Sequence, residues 1–376
     1  MNYYIISGEA SGDLHGANLI KAIKKLDTSA SFRFWGGDLM AAEAGTPIKH
    51  YKELAFMGFI EVIMNLPTIL KNISFCKKDI RANRPDVVIL IDYPGFNLRI
   101  AKAVKGMGIK AFYYISPSIW AWKQSRVHLI KKVVDRMFVI LPFEKAFYKK
   151  FDVDVDYVGH PLLDAIEKRD NSEERKSTLR KEMNLDDQNM VLLLPGSRKQ
   201  EINAMLPIML EQSKSFPKFQ FVIGAAPGLD LSIFDNFIKT YPKVKIVVNR
   251  TYDLLQLAHA ALVTSGTATL ETALFKVPEV VCYKGSFISY QIAKRLVKVK
   301  YISLVNLIMD REVVKELIQE DLNEKLLKAE LGKLLEDNAY RAEMQANFEK
   351  LIDQLGDGGA SMRLAQLMVE DLNKEG

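Results

Sequence analysis

The residues best able to do chemistry stand just after apolar runs. Val87–Ile91 is wholly apolar and stops at Asp92-Tyr93-Pro94-Gly95-Phe96-Asn97. A carboxylate at that point is partly desolvated, which raises its pKa and suits it to take a proton. The plainer role for Asp92 is to cap the helix that follows. Leu194 runs into Pro195-Gly196-Ser197-Arg198-Lys199. That turn offers backbone amides, the Ser197 hydroxyl and a guanidinium. Arg198 suits a diphosphate and keeps its charge while a leaving group gains negative charge. Ala261–Thr264 breaks into Ser265-Gly266-Thr267 before a helix that carries Glu271. Hydroxyls and amides at a helix N-terminus fit a pyrophosphate. Glu271, one turn in, is placed to accept ribose hydroxyls, or else to complete a capping box.

The first strand ends in Ser7-Gly8-Glu9-Ala10-Ser11-Gly12-Asp13. The glycines are not spaced as in a dinucleotide fingerprint, and two carboxylates would repel a phosphate. Glu9, Ser11 and Asp13 therefore read as a loop for sugar hydroxyls, with Asp13 as a helix cap the competing role. Trp120 and Trp122, beside Lys123 and Arg126, can stack a sugar, touch acyl chains or plug the loop beneath them. Asp152, Asp154 and Asp156 alternate and read as a solvated edge, not a metal site. No His or Cys cluster has metal-ligand spacing, so neither a metal nor another cofactor is expected.

The stretch 55–70 is apolar on nearly all sides and is followed by Lys71, Lys77, Lys78, Arg81 and Arg84. An apolar segment with a basic flank suits a membrane surface or an acyl groove, with Phe59, Ile63, Leu66 and Leu70 as contacts. A buried helix is the alternative.

Positioning these groups requires strands whose C-terminal ends share an edge. Tyr3–Ser7, Phe32–Trp35, Val87–Ile91, Lys110–Ile115 and Met137–Leu141 read as strands, with amphipathic helical stretches between them. Val191–Leu194, Phe219–Ile223, Lys245–Val248, Ala261–Thr264 and Glu279–Tyr283 repeat the scheme. Strand–helix alternation predicts parallel sheets covered on both faces. Ligands in such sheets bind beyond the strands' C-terminal ends. The predicted division is 1–165, 166–335 and a helical tail 336–376, with a helical pattern from about Arg311 onward.

With 376 residues, 48% hydrophobic and 26% charged, the chain suits about two globular domains. Two distant cysteines imply no disulfide scaffold, and a reducing, cytoplasmic setting fits. The start Met1–Ser7 reads as no secretory signal, and no apolar run nears the ~20 residues of a spanning helix. The net charge is +6, and from Lys71 to Lys150 there are 17 Lys or Arg against 5 Asp or Glu. So basic a stretch can meet anionic lipid, phosphorylated substrates or nucleic acid. The last explains neither Asp92 nor Arg198, and nucleic acid is not expected as a partner.

Taken in order, these motifs resemble the lipid-A-disaccharide synthase family. The resemblance rests on Ser7–Asp13, Met57-Gly58 with Glu61-Val62, Ile91–Pro94, Ser116–Trp122, Leu141–Glu144, Gly159-His160-Pro161, Leu194–Arg198, Ser265–Glu271 and Lys300–Leu307. It implies a GT-B fold, two Rossmann-like domains with a cleft between them, and an inverting transfer. The implied donor is UDP-2,3-diacylglucosamine, and the implied acceptor is 2,3-diacylglucosamine 1-phosphate, lipid X. The product would be a β-1,6-linked disaccharide 1-phosphate. It also implies a peripheral place on the inner membrane of Gram-negative bacteria and a homodimer with exchanged C-terminal segments, the alternative being that the helices of 336–376 pack back on the first domain. On this reading Asp92 and Arg198 are catalytic. Asn306 lines the donor pocket. The competing enzyme is one like UDP-N-acetylglucosamine 2-epimerase, which shares the scaffold and the Ser-Gly-Thr…Glu region.

Overall fold

Strands buried on both faces read as continuous apolar runs rather than alternating ones. Those runs build two parallel sheets. The computed structural model describes residues 1–54, 65–166, 169–285, 290 and 299–374. The chain divides into one unit of Met1–Asp164 with Leu355–Gly376, and a second of Ala165–Gln354.

The first unit holds strands β1 (Asn2–Ser7), β2 (Ser31–Gly36), β3 (Lys49–His50), β4 (Val87–Ile91), β5 (Lys110–Tyr114), β6 (Arg136–Val139) and β7 (Asp156–Tyr157). Its helices are α1 (Ala10–Leu26), α2 (Asp38–Ala44), α3 (Leu66–Asn83), α4 (Pro94–Lys105), α5 (Val127–Val133), α6 (Pro142–Lys149) and α7 (Pro161–Ile166). The seven strands lie in the order β3-β2-β1-β4-β5-β6-β7. Tyr4, Ile6, Val88 and Leu90 enter one core face with Ile73, Cys76 and Ile80 of α3. Tyr3, Ile5, Val87, Ile89 and Ile91 enter the other, against Ile20 and Ile23 of α1. The period of two along each strand thus sorts side chains between two cores.

The second unit holds α8 (Glu173–Glu182), β8 (Met190–Leu194), α9 (Lys199–Ser215), β9 (Gln220–Ala225), α10 (Asp235–Thr240), β10 (Lys245–Val248), α11 (Thr251–Leu257) and β11 (Ala258–Thr264). It continues through α12 (Thr267–Leu274), β12 (Glu279–Tyr283), α13 (Leu304–Met309), β13 (Lys315–Ile318), α14 (Glu324–Glu336) and α15 (Asn338–Leu355). Its sheet order is β10-β9-β8-β11-β12-β13. The expected helical pattern from Arg311 is corrected by β13, which pairs with β12 in register Val280↔Lys315. With Lys315 and Glu316 in its four residues and only Leu317 buried, β13 does not read as an apolar run. β3 and β7 are two-residue strands, Lys49-His50 and Asp156-Tyr157, and form no apolar run either.

The last helix, α16 (Ala360–Asn373), returns to the first unit. Its Leu364, Ala365 and Met368 share the core face of α1. Asp164 caps it, with its Oδ1 accepting from the amide of Gly359 and, at 3.3 Å, from that of Ala360. The helix α15 lies with the second unit up to Gln354, whereas the sequence reading grouped it with the tail.

Candidate active site

In each sheet the strand order reverses at one point, where a crevice forms beyond the strand ends. In the first unit that point lies between β1 and β4, with Ser7 paired to Ile91 and Ile91 to Tyr114. The loops carrying Glu9, Asp92 and Ile115 are therefore neighbours.

Backbone strain collects at this edge. Asp92 and Tyr93 have φ of 44° and 46°, and the β-branched Ile115 has 65°. Left-handed non-glycine residues cost on the order of 1–3 kcal/mol each and gather at functional sites. The Asp92 carbonyl accepts from the Tyr113 hydroxyl at 2.5 Å and from Asn97 Nδ2 at 2.8 Å. The Asp92 amide continues the ladder to the Tyr114 carbonyl at 3.0 Å. Burial, and then the negative Glu9 nearby, push the Asp92 carboxyl up to about 6, with the Tyr93 amide opposing. Asp92 is therefore poised to gain or lose a proton near neutral pH.

Gly8 is required by packing. A Cβ there would meet the Tyr93 ring at 2.4 Å. Tyr93 stacks on Phe96 at 5.5 Å and donates its hydroxyl to the Leu54 carbonyl at 3.2 Å. Glu9 is half-buried at the start of α1, and Ser11 is exposed in its first turn.

Asp13 differs from the expectation of a sugar contact. Its buried carboxylate accepts from the amides of Gly37, Leu39 and Met40, at 2.7, 3.0 and 3.1 Å. It satisfies the orphan N–H groups of α2, not of its own helix α1. The two tryptophans also separate. Trp120 packs edge-on against Phe143 at 5.0 Å. Trp122 faces outward, with Lys123 Nζ 4.6 Å above its ring.

Behind the same edge is a polar cluster that sequence reasoning missed. Glu144 is buried at the start of α6, and its Oε2 accepts from the Leu141 amide at 3.0 Å. Burial pushes its carboxyl up to about 7. Ser116 and Tyr148 share a hydrogen bond of 2.8 Å beside it. Leu141-Pro142-Phe143-Glu144, with Pro at the first helical position, was the available signal.

The second unit's reversal lies between β8 and β11, with Leu194 paired to Val263. This sets the loop Pro195–Arg198 beside Ser265-Gly266-Thr267. Gly196 has φ of 105°, and a Cβ there would meet Glu201 Oε2 at 2.5 Å. Two helices, α9 and α12, begin from these loops, so two positive dipole ends converge. Ser197 is exposed. The Arg198 side chain is 63% exposed and pairs with Glu201 at 3.2 Å. Nothing lies within 4 Å of a Cβ placed on Gly266, so the backbone there is approachable. Ser265 Oγ is turned to the Ile302 carbonyl at 2.9 Å. Glu271 accepts from the Tyr252 hydroxyl at 3.0 Å, and burial holds its carboxyl above the usual range. Tyr252 in turn lies under the Arg169 guanidinium, 5.0 Å from the ring centroid.

Asn306 differs from its expected place along a pocket. It is fully buried, and its Oδ1 accepts from the amides of Val313 and Val314 at 2.7 and 3.0 Å. Its Nδ2 donates to the Val314 carbonyl and to Glu316 Oε1. An Asn with both ends committed to its own loop is a latch between α13 and β13. Glu316 extends the latch by accepting from the amides of Ile302 and Ser303.

Of the four proposed membrane contacts, Phe59 and Ile63 lie outside the described residues. Leu66 and Leu70 are 45% and 52% exposed on α3. Among the described residues, no helix is long and apolar enough to cross a membrane, and no group of three or more His, Cys, Asp or Glu is placed to hold a metal ion.

Comparison with known proteins bears on the fold and the family. Solved structures with the same fold include the UDP-GlcNAc 2-epimerase of Neisseria meningitidis bound to UDP-GlcNAc. It has a TM-score of 0.71 at 16% identity and covers all of both chains. The glycotransferase of kitacinnamycin aligns at TM-score 0.65 and 13% identity, covering 98% of each chain. These likenesses fix the fold as two Rossmann-like units of the GT-B class and carry no activity. The sequence relatives say more. Lipid-A-disaccharide synthase of Syntrophus aciditrophicus is 41% identical over 98% of this chain and 97% of its own length. That of Geobacter metallireducens is 38% identical over 99% and 97%. The family model for lipid-A-disaccharide synthetase matches residues 3–369. The chain belongs to the lipid-A-disaccharide synthase family, whose members are glycosyltransferases.

Proposed function

We propose that this glycosyltransferase of lipid A biosynthesis works by direct displacement, with Asp92 as the base. The donor is UDP-2,3-diacylglucosamine and the acceptor is 2,3-diacylglucosamine 1-phosphate. The acceptor 6-hydroxyl oxygen attacks the donor's anomeric carbon, and its proton passes to Asp92. The bond from that carbon to UDP breaks, and UDP leaves with the electron pair. Configuration inverts, giving the β-1,6 linkage. Arg198 exchanges its Glu201 partner for the diphosphate. The amides at the start of α12, around Gly266 and Thr267, take the remaining charge. Ser197 and Ser265 line the same loops. Glu271, steadied by Tyr252, holds the ribose, and Glu9 and Ser11 face the acceptor sugar.

The observation that carries this reading is Asp92 itself. It is a part-buried carboxyl held at about 6 in a strained turn at the strand-order reversal. The test incubates purified protein with the UDP-diacylglucosamine donor, with and without the lipid acceptor, and measures UDP. Release should need the acceptor and should fall by about 10²–10⁴ in Asp92→Asn. Wild-type turnover in that variant would remove Asp92 as the base.

We further propose that the chain docks on an anionic membrane surface through α3. Its exposed Leu66, Leu70 and Phe75 stand among the exposed cations Lys71, Lys78 and Arg81. Such a face suits the interfacial layer where an acylated substrate resides.

A further inference from the structure

The turn at Asp92 is held by two side chains that converge on one oxygen atom. Tyr113 is a fully buried residue of β5, and its hydroxyl donates to the Asp92 carbonyl at 2.5 Å. Asn97 is a fully buried residue of α4. Its Nδ2 donates to the same carbonyl at 2.8 Å and to that of Ile91 at 3.1 Å. The two donors arrive from different elements, one beside β4 in the sheet and one on the helix that follows.

A carbonyl with two buried donors is fixed in direction. Fixing it fixes the peptide between Asp92 and Tyr93, the two residues at φ 44° and 46°. Left-handed conformations of ordinary residues persist only where the surroundings over-determine them. Either side chain has a simpler alternative for packing alone, because a buried phenylalanine or leucine carries no hydroxyl or amide to satisfy.

We propose that Tyr113 and Asn97 are positioning residues for the transfer reaction, clamping the Asp92 carbonyl so that the Asp92 carboxyl is aimed at the acceptor hydroxyl. Neither touches substrate. Both act through the backbone of one residue. The proposal rests on the reading of Asp92 as the base, and its test separates the two. Without the clamp the turn relaxes toward common backbone angles, and the carboxyl swings toward water. Its pKa then falls toward the ordinary aspartate range, and the base is misplaced on a fraction of encounters.

The experiment measures kcat, KM for both substrates, the pH–rate profile and the thermal midpoint in the full-length protein. The variants are Tyr113→Phe, Asn97→Ala and, for comparison, Asp92→Asn. Tyr113→Phe should lower kcat by about 10-fold, with KM for both substrates within about twofold of wild type. The acid limb of its pH profile should move to lower pH. Asn97→Ala should do the same, and Asn97→Ser, which restores one donor, should recover part of kcat. Wild-type kcat and an unmoved acid limb in Tyr113→Phe and Asn97→Ala, with Asp92→Asn inactive, would overturn the clamp and leave the base standing. An active Asp92→Asn would instead overturn the base, and the clamp with it. Loss of folding in both clamp variants would also overturn the proposal, because the two donors would then be holding the domain rather than the turn.

Discussion

At the scale of single residues, chemistry and architecture look alike in sequence, and only the partners tell them apart. Asp13 and Asp92 both follow apolar strands by a few residues. One gives its carboxylate to three backbone amides of α2. The other is part-buried, with its carboxyl raised to about 6. Sequence reading assigned Asp92 to proton transfer and Asp13 to sugar hydroxyls or a helix cap, and the cap onto α2 was not readable because a cap from one helix to the start of another leaves no local spacing. Asn306 misled in the same way, since its partners at 313–316 lie beyond the motif that drew attention to it. Tyr113 reads from the chain as a core aromatic of β5, and its hydroxyl's target is 21 residues away. Arg198 stands in a Pro-Gly-Ser turn at the start of α9, where its side chain is exposed and pairs with Glu201. Its expected loss is specific: Arg198→Ala should lower kcat by about 10²–10³, as the loss of one preorganised charge donor does. Arg198→Lys should recover only part, because a point charge cannot bridge two phosphate oxygens. Steady-state kinetics on the three proteins checks this, and a Lys variant as fast as wild type would argue against bidentate contact.

At the scale of elements, α3 shows how one helix serves two surroundings. Asn72, Ile73, Cys76 and Ile80 face the core. Asp79, at the edge of that face, accepts from the Tyr4 hydroxyl at 2.8 Å and from Arg33 Nε at 2.8 Å. Trp35 Nε1 donates to the same Tyr4 hydroxyl, also at 2.8 Å. This chain of bonds fixes the rotation of the helix about its axis, and so fixes which apolar residues remain outside. The segment read as apolar on all sides is therefore two-faced from Leu66 onward. Changing Leu66, Leu70 and Phe75 together to serine should move the protein from membrane to soluble fractions without lowering its melting temperature much. About 25 cal/mol is lost per Å² of apolar surface withdrawn from lipid, so three side chains are enough to shift the partition strongly. Unchanged partitioning on vesicles of anionic lipid would assign the face another purpose. Most strands were legible because doubly buried strands are uninterrupted apolar runs. β3, β7 and β13 were not, because they are short and carry polar residues where the others carry apolar runs.

At the scale of the whole molecule, the first unit carries a buried acid-sensitive group. His160, between β7 and α7, is 3% exposed, and burial and then the neighbouring His15 hold its pKa down to about 3 from an ordinary 6.5. A histidine that stays neutral when folded binds fewer protons than its unfolded counterpart below pH 6.5. Its contribution is therefore complete above that pH and is lost as the pH falls toward 3. Asp92 and Glu144, raised by burial, work in the opposite sense, so the comparison must be made against a variant. His160→Asn offers an oxygen to the Leu162 amide that His160 Nδ1 now accepts at 3.3 Å. Between pH 7 and pH 5 the wild type should lose about 2 kcal/mol relative to that variant. Denaturant titrations at the two pH values measure the difference, and parallel curves would show that His160 is not the titrating group. His160 stands four residues before Asp164, the residue that caps α16. That cap joins segments almost two hundred positions apart, and it has a consequence for the order of assembly. On the ribosome, everything from Ala165 to Gln354 must be made before α16 can emerge and cover α1. The second unit, made from one uninterrupted stretch, can finish while the unit that began first still waits for its closing piece. During that interval the side of α1 that Leu364, Ala365 and Met368 will cover stands bare. Newborn chains are thus most in need of shelter from one another at the amino-terminal helix, and for as long as it takes to translate the whole second unit.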